Sequence, residues 1–530
     1  MLQHYPTVTR LWKFLRGLSL RDVLMRFVFV IVSLVTLVAL AVAFENWRSA
    51  REWRAWQATA EARGERFDLA SVVPPMPPPE RNFAMTPLLR PLTDFVTNPQ
   101  VNGATGQGFR DPKAYERLQA INLDKVFGAA SPSDGADFNL WQMGEKTNLA
   151  AWAQNRIKVA DGSSALDTTA KPLAPAQVVL DVLSKYDAEM DELSRASALP
   201  ESVFQPQGEG AYMKLPHLGV IGVLEKVVTL HALARGASDD KARAFDEMMF
   251  AQRLAEVVRT NSVIVPVLAR AQLHTSAMQP VWETLAERRL TSEQLAVLQP
   301  ELARVNLVEQ LARATRGEIT FVTWIFEQLR ARKTNWKAME ELMPPQPWWL
   351  HFLRPAAYYR GQLISTRYYM DGILPALDTK AGVINIEAIS AAWGKEVQPS
   401  LGYPLNAVSV RLLGQFEGLA KRIAQAQAYQ NMVIIACALE RWSLAHGGGY
   451  PDSTSALVPE FLAKLPIDPV NGQPLRYRRT DDGRYRLWSV GANLKDEDGT
   501  PGIDVVGPKD TRRISNDPNK GDWVWSYQKL

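Results

Sequence analysis

Phe27 to Phe44 reads FVFVIVSLVTLVALAVAF, eighteen residues without a charge. This run constrains the chain more than any other segment. A bilayer core needs about 20 apolar residues at about 1.5 Å rise each, and Val23 to Met25 extend the run to that length. A signal peptide would have an apolar region of about 7–15 residues followed by a small-residue cleavage site. Here Glu45-Asn46-Trp47-Arg48 follows instead. The expectation is a retained transmembrane helix over 27–44, with residues 1–26 as a cytoplasmic head. That head carries Arg10, Lys13, Arg16, Arg21 and Arg26 against Asp22. The next twenty residues carry Arg48, Arg51, Arg54 and Arg63, so the positive-inside rule favours an N-in orientation by a small margin. Leu11, Trp12, Leu15 and Leu18, interleaved with Lys13 and Arg16, suggest a short helix on the inner interface. Trp47, Trp53 and Trp56 suit the headgroup layer on the far side.

Residues 45–80 read as a juxtamembrane helix ended by a stiff spacer. Arg48 and Glu52 stand four apart on one face. The run Pro74-Pro75-Met76-Pro77-Pro78-Pro79 then stops any helix and extends the chain.

The chain has 530 residues, 46% of them hydrophobic, and a formal charge of +4. That composition is too apolar for a disordered chain. It also lacks the clustered basic face that nucleic acid requires, so no nucleic-acid partner is expected. The single cysteine, Cys437, rules out an intrachain disulfide framework and a cysteine zinc site. It lies in an apolar run and reads as a buried small hydrophobe.

Residues 81–400 read as a helical body. Val179, Leu180, Leu183, Tyr186, Met190 and Leu193 recur at helical spacing. Further helices are expected over 218–233, 241–265, up to about 289, and 302–332, with Pro266 and Pro300 as breaks. Thr291-Ser292-Glu293-Gln294 is a capping-box start. Helices of this length with short connections suggest a bundle or a short α-solenoid. Chemical signatures are sparse. The glycines of 103–108 lack the Lys-Ser/Thr of a phosphate loop, and there is no H-E-x-x-H and no G-x-S-x-G. His217, His231, His274 and His351 are scattered and read as capping or partly buried residues. Glu340 and Glu341 would diverge on a helix. Trp348 and Trp349 cover a core edge or form a contact patch.

From about 401 the character changes. One long helix is expected over 408–446, ended by Gly447 and Pro451. A short helix follows over 455–461. Two alternating strands, 475–479 and 484–490, then flank Asp481-Asp482-Gly483 as a hairpin. This order resembles the C-terminal half of the major pseudopilin of type II secretion systems. The matching residues are Ala438-Leu439-Glu440-Arg441, Gly449-Tyr450-Pro451, Leu465-Pro466-Ile467-Asp468-Pro469, Asn471-Gly472-Gln473-Pro474, Tyr477 and Trp488-Ser489-Val490-Gly491-Ala492-Asn493. They cover roughly 90 residues, as a set of turn motifs. Phe67-Asp68-Leu69, the proline run and Asn82-Phe83-Ala84-Met85-Thr86-Pro87 also resemble membrane-anchored bacterial proteins carrying such a tail. The resemblance implies an α+β pilin-like module over 401–530. Nothing before Phe27 matches a pseudopilin cleavage site, so this module is expected on a different kind of anchor and is not expected to polymerise. In the family the loop after Gly-Ala-Asp binds calcium. Here Asn493, Asp496, Asp498 and Asp504 would supply oxygens to Ca²⁺, with Asn493 in place of the family's first Asp.

The expected fold is therefore mainly α: an anchor over 27–44, a spacer over 45–80, a helical body over 81–400 and a pilin-like tail. The expected role is binding or scaffolding in the bacterial envelope, at the inner membrane, with the bulk periplasmic. The lipid bilayer is one partner, and an envelope or secretion-type protein is the other. The competing reading is an envelope hydrolase with its site between 82 and 400. A deep pocket of converging carboxylates or histidines would favour it.

Overall fold

The computed structural model describes residues 20–68, 74–97, 107–127, 138–160, 173–207, 213–238, 240–259, 263–331, 354–398, 406, 409–410, 413, 416–506, 511–515 and 517–529. The expected interfacial head helix, Glu340, Glu341, Trp348, Trp349, His351 and most of the 103–108 glycine loop lie outside these. In chain order the elements are α1 (Leu20–Ala62), β1 (Phe95–Thr97), β2 (Gln107–Phe109), α2 (Pro112–Gln119), α3 (Asp124–Phe127), α4 (Leu149–Ala160), α5 (Pro175–Leu183), α6 (Asp187–Ala196), α7 (Pro216–Gly236), α8 (Lys241–Glu256), α9 (Ile264–Ala286), α10 (Ser292–Ala303), α11 (Leu307–Ala331), α12 (Arg354–Arg367), β3 (Leu377–Asp378), β4 (Val383–Ile384), α13 (Ile386–Ala392), α14 (Phe416–Ala445), β5 (Arg476–Arg479), β6 (Tyr485–Ser489), β7 (Ile503–Val506), β8 (Thr511–Ile514) and β9 (Trp523–Ser526). The protein is mainly helical, with small antiparallel sheets. It divides into two compact units. The first holds Met1–Glu65, Phe326–Ile364 and Ser400–Leu412, and the second holds the rest.

In the first unit, α1 is one unbroken helix of 43 residues. At about 1.5 Å per residue it spans about 65 Å, roughly twice a bilayer core. Its apolar half is exposed, Phe29 by 72%, and it is long and apolar enough to cross a membrane. The helix continues because the polar half holds good helix formers and ion pairs. Arg48 reaches Glu45 at 2.8 Å and Glu52 at 3.4 Å. Trp53 is buried and stacks on Trp56 at 5.6 Å, so it packs within the protein, whereas Trp47 is exposed. The start of α12 is held against α1. Asn46 Oδ1 accepts from the Ala356 amide at 2.9 Å, and Arg360 reaches Glu45 at 2.9 Å. A side chain at Gly361 would place its Cβ 2.7 Å from the Phe326 ring, so only glycine permits this approach.

In the second unit α7 is the central helix. It too is long and apolar enough to span a membrane, but 72% of that stretch is buried, against α5, α8 and α9. It is a core helix, apolar all round because it is covered all round. Its neighbours start where their sequences allow. Asp240 caps α8 by accepting from the Arg243 amide, and Thr291 and Gln294 form the expected capping box of α10. Pro266 falls in the first turn of α9, where a missing N–H costs nothing. Pro300 lies inside α10, which ends at Ala303. The chain turns at Arg304 to Asn306 before α11, so the helix expected from 302 begins at Leu307.

Residues 413–530 belong to the same compact unit as 66–325 and 365–399. The reason is α14. Nearly every residue from Ala420 to Glu440 on that helix is covered, by α9, α10, α13 and the sheet. The expected hairpin is present: β5 pairs antiparallel with β6, Tyr477 opposite Leu487. A third strand, β9, pairs with the other edge of β6, Trp488 opposite Val524. All four β9 residues are buried. Trp282 on α9 donates to the Ser526 carbonyl at 3.0 Å, and Trp141 meets Tyr429 edge-on at 4.8 Å and Trp525 at 5.2 Å. This aromatic seam gathers Trp141, Trp282 and Trp525 with Tyr429.

Candidate functional site

The second unit contains a cleft of about 630 Å³, within the range of small-molecule sites. Its walls come from α8, α9, the turn between α10 and α11, and the segment 197–202. Helical spacing places the key residues. Gln252, Arg253 and Glu256 lie on adjoining faces of α8, and Arg270 and His274 stand one turn apart on α9.

The floor is a charged network. Arg270 donates to Glu256 Oε1 at 2.6 Å and Oε2 at 2.8 Å, and to Gln310 on α11 at 2.8 Å. His274 Nε2 lies 2.6 Å from Glu256 Oε1. Burial raises the Glu256 carboxyl, but the His274 hydrogen bond and the Arg270 charge outweigh it and hold the group at about 2. Burial pushes the His274 imidazole down despite Glu256. Because the carboxylate only accepts, Nε2 carries the proton. His274 Nδ1 and Gln252 Oε1 are buried with no hydrogen-bond partner.

The remaining lining residues differ in how they are held. Arg304 is paired with Glu301 at 2.8 Å. Arg259 donates to the Pro200 carbonyl at 2.8 Å. The Ser197 hydroxyl donates to the Ser194 carbonyl and the Ser202 hydroxyl to the Val257 carbonyl, each at 2.7 Å.

Two other described histidines are held within the fold. His217 is buried and stacks on Phe204 at 4.5 Å, and His231 pairs with Glu247 at 2.8 Å. His274 was also read from sequence as a capping or partly buried residue, and the floor network was missed. One signal pointed to it. Arg270 and His274 sit at i,i+4 in a helical stripe otherwise made of Val267, Ala271, Ala277 and Met278. A buried arginine with a histidine on a core face requires a partner carboxylate, and Glu256 on the preceding helix supplies it.

The residues expected to hold calcium are each otherwise engaged. Asp496 accepts from the Trp488 indole at 2.9 Å and from Arg476 at 3.1 Å. Asp498 takes both carboxylate oxygens to Arg478. Asp504 is held by Ser515 and Lys520. Asn493 Oδ1 accepts from the Lys495 amide, and its amide nitrogen donates to Glu497 at 2.8 Å. Among the described residues no three His, Cys, Asp or Glu side chains gather as a metal centre. Sequence reading passed over two carboxyls here. Glu497 Oε2 and Asp522 Oδ1 are buried, the two carboxyls share a side-chain hydrogen bond that needs a proton on one of them, and Asp522 Oδ2 accepts from the Gly499 amide at 2.7 Å. Burial, reinforced by Glu497, raises the Asp522 carboxyl to about 7.

Compared with known families, curated proteins and solved structures, the chain matches no family model, no curated protein and no solved structure.

Proposed function

We propose that this is a membrane-anchored binding or scaffolding protein of the bacterial envelope. In this reading α1 is the anchor, the N-terminus is cytoplasmic and the bulk is periplasmic. Its body takes up a ligand or an envelope partner, to be sought among secretion-type machinery because of the pilin-like order of the tail. The observation that carries binding over hydrolysis is the chemistry of the cleft. Glu256 and Arg270 saturate each other, and the Ser197 and Ser202 hydroxyls are spent on backbone carbonyls. A hydroxyl or thiol hydrogen-bonded to a base, the arrangement of hydrolases that form a covalent intermediate, does not occur among its described lining residues. Co-purification of the full chain from detergent-solubilised, cross-linked membranes tests the reading. A recurrent envelope partner is expected, and a clean monomer would count against it.

A second reading concerns Ca²⁺. The buried carboxyls of Glu497 and Asp522, beside Asn493, would offer oxygens to a cation that displaces the proton they share, with neighbouring carbonyls completing the shell. Asp496, Asp498 and Asp504 would then shape the loop through their arginine and lysine pairs. Titration of the full chain with Ca²⁺ in a calorimeter decides it: no heat and an unchanged melting temperature end the reading.

A further inference from the structure

The cleft has charges that its own residues leave uncancelled. Arg253 on α8 is half-buried and Arg313 on α11 is exposed, and both line the cavity. Among the described residues neither side chain makes an ion pair or a hydrogen bond. Arg259 spends one N–H on a neutral carbonyl. By contrast Arg270 is matched by Glu256 and Arg304 by Glu301. That leaves Arg253, Arg259 and Arg313 facing a single lining carboxylate without an ion pair, Glu309. Like charges around one concave, partly desolvated space repel, and low-dielectric walls strengthen their field. A guanidinium presents its N–H groups as a planar fork that matches carboxylate and phosphate oxygens.

We propose that this cleft is an oxyanion site, taking a phosphate or carboxylate group of a small ligand, with Arg253 and Arg313 as the recognition pair and Arg259 adding charge. The inference rests on the binding reading above and names the chemistry of what is bound. The floor network holds α8, α9 and α11 together, so the two arginines, one on α8 and one on α11, are set by a rigid base. The matched pairs, Arg270 with Glu256 and Arg304 with Glu301, add no net charge.

The test uses the full chain in detergent, titrated with inorganic phosphate and, separately, with citrate. Sodium chloride at matched ionic strength is the control. A saturable rise in the thermal midpoint is expected with at least one probe: phosphate alone marks a phosphoryl ligand, and citrate alone a carboxylate. Arg253→Gln with Arg313→Gln should weaken that binding at least tenfold. Arg304→Gln with Glu301→Gln, which removes a matched pair and leaves the net charge of the cleft unchanged, should weaken it far less. If the double variant does not fold, Arg313→Gln alone serves, because its side chain is exposed. The proposal is overturned if neither probe exceeds the chloride control, or if the folded variant binds as tightly as the unaltered chain. Cross-linking the same variant separates the two readings. An envelope partner retained by a chain that binds no anion leaves the binding reading standing and removes the oxyanion site.

Discussion

Glu225 is buried on α7, with the Thr229 hydroxyl donating to its Oε1 at 2.7 Å. Burial raises its carboxyl from 4.5 to about 7. The folded state therefore holds a proton that the unfolded chain releases above 4.5. Stability falls as pH rises from 4.5 through 7, by at most about 3–4 kcal/mol at about 1.4 kcal/mol per unit. Glu225→Gln should raise the melting temperature at pH 8 and change it little at pH 5. Glu256 works in the opposite sense. Held at about 2, it contributes stability above 4.5 that is lost as pH falls toward 2. Glu256→Gln leaves Arg270 buried without its counter-charge and should cost about 3–5 kcal/mol at pH 7 by urea unfolding. Cys437 is buried among apolar residues, and burial pushes its thiol up. It should resist alkylation by iodoacetamide until the chain is denatured. The thiol's burial was legible from its apolar run. The cleft floor was not, because its charges come together only when α8, α9 and α11 pack.

At the scale of elements, glycines at positive φ differ in what surrounds them. Gly521 has φ +64°, and a Cβ there would lie 2.2 Å from the Gly502 amide nitrogen, at the entry to β9. Gly447 has φ +70° after α14, with open space around it. Gly447→Ala should cost about 1–2 kcal/mol from backbone strain alone. Gly521→Ala should cost more, because backbone must also move. Thermal melts of the two variants compare them directly. Long helices were legible from periodicity, and the 476–489 hairpin from alternation around Asp-Gly. The break at Arg304 to Asn306 was not, because Leu302, Val305 and Leu307 keep the apolar spacing across it. Neither was β9 as a sheet member. Its Trp-Val-Trp run is plainly apolar, but its partner β6 is fixed by packing on α14 and α9, far away in sequence. Local pattern holds no record of such pairing.

For the whole molecule, α1 and α7 pass the same test of length and hydropathy, and burial tells them apart. Replacing Leu34 and Leu37 on the exposed face of α1 with Arg should release the protein from membranes in alkaline-carbonate fractionation. The same change at buried Leu224 and Val228 of α7 should instead unfold it. Sequence marked the first as a span from its lack of charge. It placed α7 in the body without showing that it forms the centre, since a helix apolar all round reads alike in lipid and in a core.

The bond from Trp282 to the Ser526 carbonyl joins positions 244 apart, and this sets an order of events during synthesis. α9 and α14 leave the ribosome well before β9 exists. Their facing surfaces must wait bare for a strand made later. Long-range closure of this kind is slow and leaves apolar surface open to wrong partners. A stop codon or a bulky fusion just ahead of Trp523 would therefore act on the nascent body as a whole, and the cell's holding chaperones would be the first to register it.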